Sequence, residues 1–297
     1  MKRRQTAPGG AIGIAGSGRM AQALGRLLFQ HGQPIAVMAS RSRSKARRAA
    51  RFVGPSVRAV DYSQLPAQAD RLIVAVADDA LFEVAGTLAD AGMDAGMIIH
   101  TSGVWGPEVF SRLMEQGVSC ASMHPLQTVA NPKQGVEKLP GSTFAVAGKG
   151  KAALWAKELV KLLDGQVLTI KPLAKPLYHA AAVVASNYIV ALIDAALLMM
   201  AKAGVSEHQG RKALEPLVLA AAQNALSRGP VKALTGPIER GDGLTLAAHL
   251  SALKALPESV QGLYRAMGQH TVQLARRRGL SKAQATQLEK LLEGEAS

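Results

Sequence analysis

Short apolar runs alternate with longer amphipathic segments through the first half of the chain. The runs cover residues 11–15, 34–39, 71–77, 96–100, 118–122 and 143–147. Each run has the length of a β-strand, and helical segments separate most of them. This alternation predicts an α/β fold in which an N-terminal Rossmann-type parallel sheet is covered by helices on both faces. Ligands bind such sheets beyond the carboxyl ends of the strands.

The pattern changes near residue 170, after which no further strand is predicted and the chain is helical. We therefore expect a Rossmann-type domain over residues 1–170 and an all-α domain over 171–297. Residues 176–203 are nearly all apolar and long enough to suggest a transmembrane helix. The central Asn187 and Asp194 would be costly in lipid, so we favour a helix buried on all sides, between domains or between subunits.

A glycine-rich turn follows the first apolar run, with the spacing Gly16-x-Gly18-x-x-Ala21. Such a turn lets the backbone approach the pyrophosphate of a dinucleotide, which then lies on the N-terminus of the next helix. By itself, so short a pattern is weak evidence for a dinucleotide site. The expected cofactor contacts at this turn are Gly16, Ser17, Gly18, Arg19 and Met20. At the ends of two later strands, Ala77, Asp78 and Ser102 are further candidates, although Ser102 fits a simple turn equally well.

The end of the second apolar run is basic, where dinucleotide-binding proteins that use NAD carry a carboxylate. The residues are Ser40, Arg41, Ser42 and Arg43. Hydroxyl groups beside an arginine suit a ribose 2′-phosphate, whereas a carboxylate would repel it. The predicted cofactor is therefore NADP, bound by Ser40 and by Arg41 or Arg43. The alternative is a solvated basic start of a helix.

Composition agrees with a globular enzyme of two domains. The 297 residues are 48% hydrophobic and include a single cysteine, Cys120, which excludes a disulfide framework and a zinc site built on cysteines. A basic N-terminus without an apolar signal segment favours a cytoplasmic location. The net charge of +14 is spread along the chain without interleaved aromatic residues, so we expect attraction of anions rather than specific nucleic-acid binding.

Polar residues of the long apolar helix fall on one side of it. At about 100° per residue, His179 and Ser186 lie close together in projection, with Asn187 and Asp194 displaced to the other side. The group forms either a buried hydrogen-bond network or one wall of an active site.

A second cluster of polar residues and glycines lies at residues 233–245, between two helical segments. Arg240 could hold a substrate carboxylate with its planar guanidinium group, and Asp242 could orient Arg240 or a histidine. The alternative is an ordinary loop followed by a helix with a threonine cap.

These motifs resemble a known bacterial family. Residues 178–188, Pro216-Leu217, residues 233–242 and His249-Leu250 are similar to the C-terminal DUF2520 domain of Rossmann-like proteins, and residues 124–127 are similar to the stretch between its two domains. The resemblance covers nearly the whole chain and implies NADP-dependent oxidoreductase activity. More distant similarity links the layout to pyrroline-5-carboxylate reductases, ketopantoate reductases and deazaflavin-dependent NADP oxidoreductases.

Two departures from these relatives stand out. Arg19 replaces their usual asparagine. Ketopantoate reductases use a lysine on the first C-terminal helix, and the nearest candidate, Lys175, precedes a proline, which places it outside the expected helix.

The expected reaction is hydride transfer between NADPH and a small anionic carbonyl or imine compound in a cleft between the domains. His179 is the leading proton donor, with His124 as the second candidate. Ser186 and Asn187 would hydrogen-bond the reacting group and Arg240 would bind a carboxylate, whereas a structural hydrogen bond is expected of His249. A homodimer is expected, without membrane partners. The alternative function is an NADP-binding sensor or scaffold without turnover.

Overall fold

The computed structural model describes residues 10–294. The chain divides into two compact units, Met1–Ser186 and Asn187–Ser297. The described strands all lie in the first unit: β1 Ile12–Ala15, β2 Ile35–Ala39, β3 Arg58–Val60, β4 Arg71–Val74, β5 Met97–His100, β6 Ser119–Pro125, β7 Thr143–Gly148 and β8 Gln166–Thr169. They form one sheet in the order β3-β2-β1-β4-β5-β6-β7-β8. The predicted α/β class and Rossmann-type sheet are confirmed.

Eight helices of the first unit follow or connect these strands. They are α1 Arg19–Gln30, α2 Arg43–Val53, α3 Leu65–Gln68, α4 Asp78–Asp90, α5 Ser111–Glu115, α6 Pro132–Lys138, α7 Gly150–Leu162 and α8 Lys175–Ala185. The sheet has two packed faces because side chains alternate along each strand. Ile14, Ile73 and Ile99 enter one core, and Ala15, Val74 and Ile98 enter the other.

The sheet departs from a purely parallel one at a single pair. Every neighbouring pair is parallel except β6 and β7, which are antiparallel. Apolar patterning reports burial and not direction, so the sequence could not reveal this reversal. The edge strands β3 and β8 were not predicted either. Both are short and carry polar residues, and every residue of β8 is exposed, as is usual at the edge of a sheet.

Helix α8 explains why the chain divides after Ser186, whereas the sequence led us to expect a boundary after Ile170. A short 3₁₀ turn, Pro172–Ala174, leads into α8, whose first residue is Lys175. Lys175 has helical backbone angles, so the expectation that it lies outside the helix was wrong. A proline at the second helical position costs no hydrogen bond, and contacts of Lys175 with the sheet domain offset the unfavourable geometry before proline.

The second unit is helical, as predicted. Its helices are α9 Asn187–Lys202, α10 Glu207–Arg228, α11 Pro230–Ala233, α12 Pro237–Arg240, α13 Gly243–Leu253, α14 Glu258–Arg278 and α15 Lys282–Glu293. A small core forms where α12, α13, α14 and α15 meet, and it includes Ile238, Leu246, Val272 and Leu288.

Most of the long apolar segment is exposed within the single chain, so its burial between domains or between subunits stays a prediction. Helix α8 buries only Lys175, and α9 buries only Ala195. Leu197 and Met200 of α9 lie against Gly210 of α10, whereas Leu177, Val184 and Val190 are exposed. By length and composition alone, the helical stretch Pro172–Lys202 is the one in the described residues that could cross a membrane, with 6% of its most apolar window buried.

Candidate functional site

The turn between β1 and α1 requires its first glycine. Gly16 has a φ of +133°, and a Cβ atom there would lie 2.2 Å from the carbonyl oxygen of Ala75. Gly18 is the N-cap of α1, and a Cβ atom on it would meet nothing within 4 Å. No side chain of the N-cap binds the first N–H groups of α1, and these groups, at the positive end of the helix dipole, suit a phosphate.

A cleft of about 520 Å³ opens at this turn, at the carboxyl ends of the parallel strands. Its walls include eight of the residues expected to contact a cofactor: Gly16, Ser17, Gly18, Arg19, Met20, Ser40, Arg41 and Ala77. Further walls come from Ser42, Lys45, Tyr62, Thr101 and Gln127. The structure thus brings together the glycine turn and the basic end of β2.

Three of the expected cofactor residues lie outside the walls. Arg43 forms an ion pair with Asp61 at 3.7 Å, which favours Arg41 over Arg43 as the cleft arginine. Asp78 begins α4, directly after Ala77. Ser102 is buried, and its hydroxyl accepts hydrogen bonds from the N–H groups of Val104 and Trp105.

The cleft is electropositive at the end of β2. Among the described residues its walls carry three cations, Arg19, Arg41 and Lys45, and no carboxylate. The hydroxyl groups of Ser17 and Ser40 are hydrogen-bonded at 2.8 Å, which joins the glycine turn to the end of β2. This end of the cleft can receive a phosphate monoester without an opposing negative charge.

A buried lysine lies against the end of β5 and the middle of β6. The Nζ atom of Lys175 donates hydrogen bonds to the carbonyl oxygen of Ser102 at 2.9 Å and to the hydroxyl of Ser122 at 3.0 Å. The side chain is fully buried, and no carboxylate of the described residues forms an ion pair with it. Burial lowers the pKa of Lys175 to about 8, against the opposing influence of Glu108 and Asp78. The sequence analysis had placed this lysine outside the helix because Pro176 follows it.

Two of the predicted catalytic residues, His124 and His179, lie together. Their ring centroids are 5.8 Å apart, edge to face, and Nδ1 of His124 is 2.9 Å from the hydroxyl of Tyr178. Burial, then the charges of Lys175 and His179, lowers the pKa of His124 to about 4. Burial also raises the pKa of Tyr178 to about 12. The His124–Tyr178 pair is therefore neutral at pH 7 and can pass a proton along its hydrogen bond.

The turn after β5 is fitted closely to these histidines. A Cβ atom on Gly103 would lie 2.4 Å from Cδ2 of His179 and 2.9 Å from Nε2 of His124. His100 supports the same turn, because its Nδ1 accepts from the N–H of Ser102 and its Nε2 is 3.0 Å from the carbonyl oxygen of Gly106. Burial lowers the pKa of His100 to about 3, so its imidazole is neutral.

The polar stripe expected on one continuous helix is interrupted at Ser186, so the projected angles do not hold across it. Ser186 has φ −131° and ψ −69°, and its hydroxyl donates to the carbonyl oxygen of Ala182 at 2.6 Å. Asn187 begins α9 in the second unit.

The predicted loop residues of the second unit include a helix cap. Arg240 ends α12, and the carboxylate of Asp242 caps α13 by accepting from the N–H and the hydroxyl of Thr245 at 3.0 and 2.6 Å. These two bonds lower the pKa of Asp242. His249 is hydrogen-bonded to the hydroxyl of Tyr264 at 2.8 Å. No group of three or more His, Cys, Asp or Glu side chains in residues 10–294 could hold a metal ion.

Comparison with family models matches both parts of the chain. Residues 4–125 match the Rossmann-like domain, and residues 142–271 match a domain of unknown function, DUF2520. Among curated proteins, no sequence matches significantly.

Solved structures share the fold over nearly the whole chain. Protein TM1727 from Thermotoga maritima is 23% identical with a TM-score of 0.70, covering 90% of this chain and 98% of that one. BF3122 from Bacteroides fragilis, provisionally described as an NADP oxidoreductase, is 22% identical with a TM-score of 0.69 and coverages of 91% and 97%. A reductive aminase from Aspergillus terreus, solved with NADPH and ethyl levulinate, is 17% identical with a TM-score of 0.62 and coverages of 96% and 93%.

These structural likenesses show a common fold, and the two family models identify the domains that carry it. Along the chain, a match to the Rossmann-like domain is therefore followed by a match to DUF2520.

Proposed function

We propose that the protein is an NADP-dependent oxidoreductase that transfers a hydride between NADPH and a small anionic carbonyl or imine compound. The observation that carries the proposal is the cleft in the first unit. Its glycine turn, open helix N-terminus and cationic walls without a carboxylate fit a dinucleotide with a 2′-phosphate. The structural neighbours agree with this class, since one is provisionally described as an NADP oxidoreductase and another was solved with NADPH.

The residues of the cleft fit three parts of the cofactor: the pyrophosphate, the 2′-phosphate and the nicotinamide ring. The N–H groups after Gly16 would hold the pyrophosphate, and the open space at Gly18 would admit it. Ser40, Arg41 and Lys45 would bind the 2′-phosphate. Thr101, at the end of β5, would border the nicotinamide ring, and NADPH bound there supplies the hydride.

The proton is supplied by the cluster of His124, Tyr178 and His179, which lies against the turn that follows Thr101. His179 is the proposed proton donor to the reduced group, and His124 assists through its bond to Tyr178. Because His124 is neutral at pH 7, its part is to relay a proton rather than to act as a cationic acid. In the same proposal Ser186 and Asn187 bind the reacting group and Arg240 binds the substrate carboxylate.

Cofactor choice is tested by fluorescence titration with NADPH and NADH. The protein should bind NADPH more tightly, and Arg41→Ala should weaken NADPH binding by about tenfold to hundredfold while leaving NADH binding unchanged. Arg48→Ala, an exposed change on α2 outside the cleft, is the matched control. Equal affinities for NADPH and NADH in the unmodified protein would contradict the assignment of NADP.

Turnover is tested with a panel of 2-oxo acids and cyclic imines. NADPH should be oxidised with at least one of them, and His179→Ala should abolish turnover with NADPH affinity retained. If NADPH binds tightly and no compound is reduced, the protein is an NADP-binding sensor or scaffold instead.

A homodimer completes the proposal. The exposed apolar residues of α8 and α9 include Leu177, Val184, Tyr188 and Val190, and a second copy of the chain would cover them. This arrangement needs no membrane and suits a cytoplasmic protein with one buried cysteine. The basic surface then attracts anionic ligands and needs no specific nucleic acid.

A further inference from the structure

We propose that the site reduces a carbonyl compound and selects against imines, because Lys175 holds a buried ammonium group without an ion-pair partner next to the strand that carries His124. The inference rests on the proposed function and narrows its substrate class. The fold is shared with imine reductases, so the fold alone does not decide between the two classes.

The position of Lys175 links it to the cleft. Its Nζ atom holds the carbonyl oxygen of Ser102, and Ser102 follows Thr101, which lines the cleft. Its second bond, to Ser122, joins it to β6, two residues before His124. Lys175 is fully buried and therefore acts on the substrate through space and through these neighbours, as a positioning residue.

The groups around this amine do not cancel its charge. His100 on β5 and His124 on β6 are both neutral at pH 7. Tyr178 and His179 come from α8 itself. The two carboxylates that influence the amine are Glu108, which accepts from the N–H of Gly106 at 2.8 Å, and Asp78 at the start of α4. Neither forms an ion pair with Lys175 among the described contacts.

The two substrate classes develop opposite charges. In carbonyl reduction a hydride adds to the carbon, the C=O π electrons move to oxygen, and that oxygen carries negative charge until it takes a proton from His179. In imine reduction the nitrogen is protonated first, and the resulting iminium cation accepts the hydride at carbon. A buried ammonium group stabilises the first and destabilises the second.

The test compares two substrates with the same five-carbon skeleton, 2-oxopentanoate and the cyclic imine 1-pyrroline-2-carboxylate. With NADPH at pH 7, kcat/KM for the oxo acid should exceed that for the imine by at least about tenfold. Lys175→Met keeps the length of the side chain and removes the charge, and it should reduce this preference by about tenfold or more. Lys171→Met, at an exposed position before α8, should leave the preference unchanged.

A second measurement does not depend on turnover. Removing the charge at residue 175 should raise the pKa of His124 toward its ordinary value, which NMR titration of the imidazole would detect, with His124→Gln to assign the signal. Lys175→Gln provides a second neutral variant if Lys175→Met fails to fold.

The outcomes separate this inference from the proposed function. A higher kcat/KM for the imine, or an unchanged preference in a folded neutral variant, would overturn the role of Lys175 while leaving an NADPH-dependent reductase. Absence of NADPH oxidation with every 2-oxo acid and cyclic imine of the panel, despite NADPH binding, would overturn the proposed function and this inference with it.

Discussion

Two histidines of the first unit are buried where a positive charge is unfavourable. The pKa of His100 is lowered to about 3 and that of His124 to about 4, in both cases mainly by burial. Each side chain uses its neutral form to accept or share a hydrogen bond, His100 with the turn after β5 and His124 with Tyr178. The local structure therefore depends on these imidazoles remaining unprotonated.

Acidification should destabilise the protein through these groups. Between pH 6.5 and about 4 the unfolded chain binds protons at both positions and the folded chain does not. The free energy of unfolding is therefore highest above pH 6.5 and falls as the pH is lowered. Each histidine contributes a slope of about 1.4 kcal/mol per pH unit in this range. Denaturant unfolding at pH 7, 6 and 5 should show that His124→Gln reduces the slope by about this amount. An unaltered slope would contradict the assigned state of His124.

Gly103 is required by the histidines that it touches. Gly103→Ala should cost about 1–3 kcal/mol of stability, because the added methyl group collides with the rings of His124 and His179. Gly86→Ala, within α4 and with no atom within 4 Å of the new Cβ, should instead gain about 0.5–1 kcal/mol. Thermal unfolding of both variants checks the pair, and equal effects would refute the close fit.

At the scale of elements, the sequence predicted the β1–α1 turn but not the start of α8. The glycine spacing and the basic end of β2 are local, and the structure places both at one cleft. Lys175 was missed because the rule against helix before proline is also local, whereas the bonds of Lys175 come from β5 and β6. No signal in the chain near residue 175 reveals those partners.

Substitutions of the two glycines of the turn should affect stability and NADPH binding differently. Gly16→Ala should destabilise the fold strongly, since the residue has a positive φ and its Cβ would overlap the carbonyl of Ala75. Gly18→Ala should change stability by less than about 0.5 kcal/mol, because the position is open. It should nevertheless weaken NADPH binding at least about tenfold by filling the space expected for the pyrophosphate. Thermal shift and fluorescence titration measure the two effects, and full affinity in Gly18→Ala would argue against this site.

For the whole molecule, the main unexplained surface is the apolar one on α8 and α9. We expect light scattering with size-exclusion chromatography to give the mass of a dimer. Val190→Glu should shift it toward monomer, because a charge would be buried in the interface. Leu154→Glu, an equally drastic change at an exposed leucine of α7, should leave the dimer intact. A monomeric unmodified protein would contradict the proposed assembly.

The sequence by itself determined the features that depend on neighbours a few residues apart. These are the strand and helix alternation, the glycine turn, the cationic end of β2 and the helical second half. Tertiary structure alone decided which distant groups meet: the antiparallel pairing of β6 with β7 and the approach of Lys175 to Ser122 across 53 residues. Patterning reports which side chains are buried, but pairing, charge and pKa depend on what packs against them, and that is set only when the whole sheet and its helices are assembled.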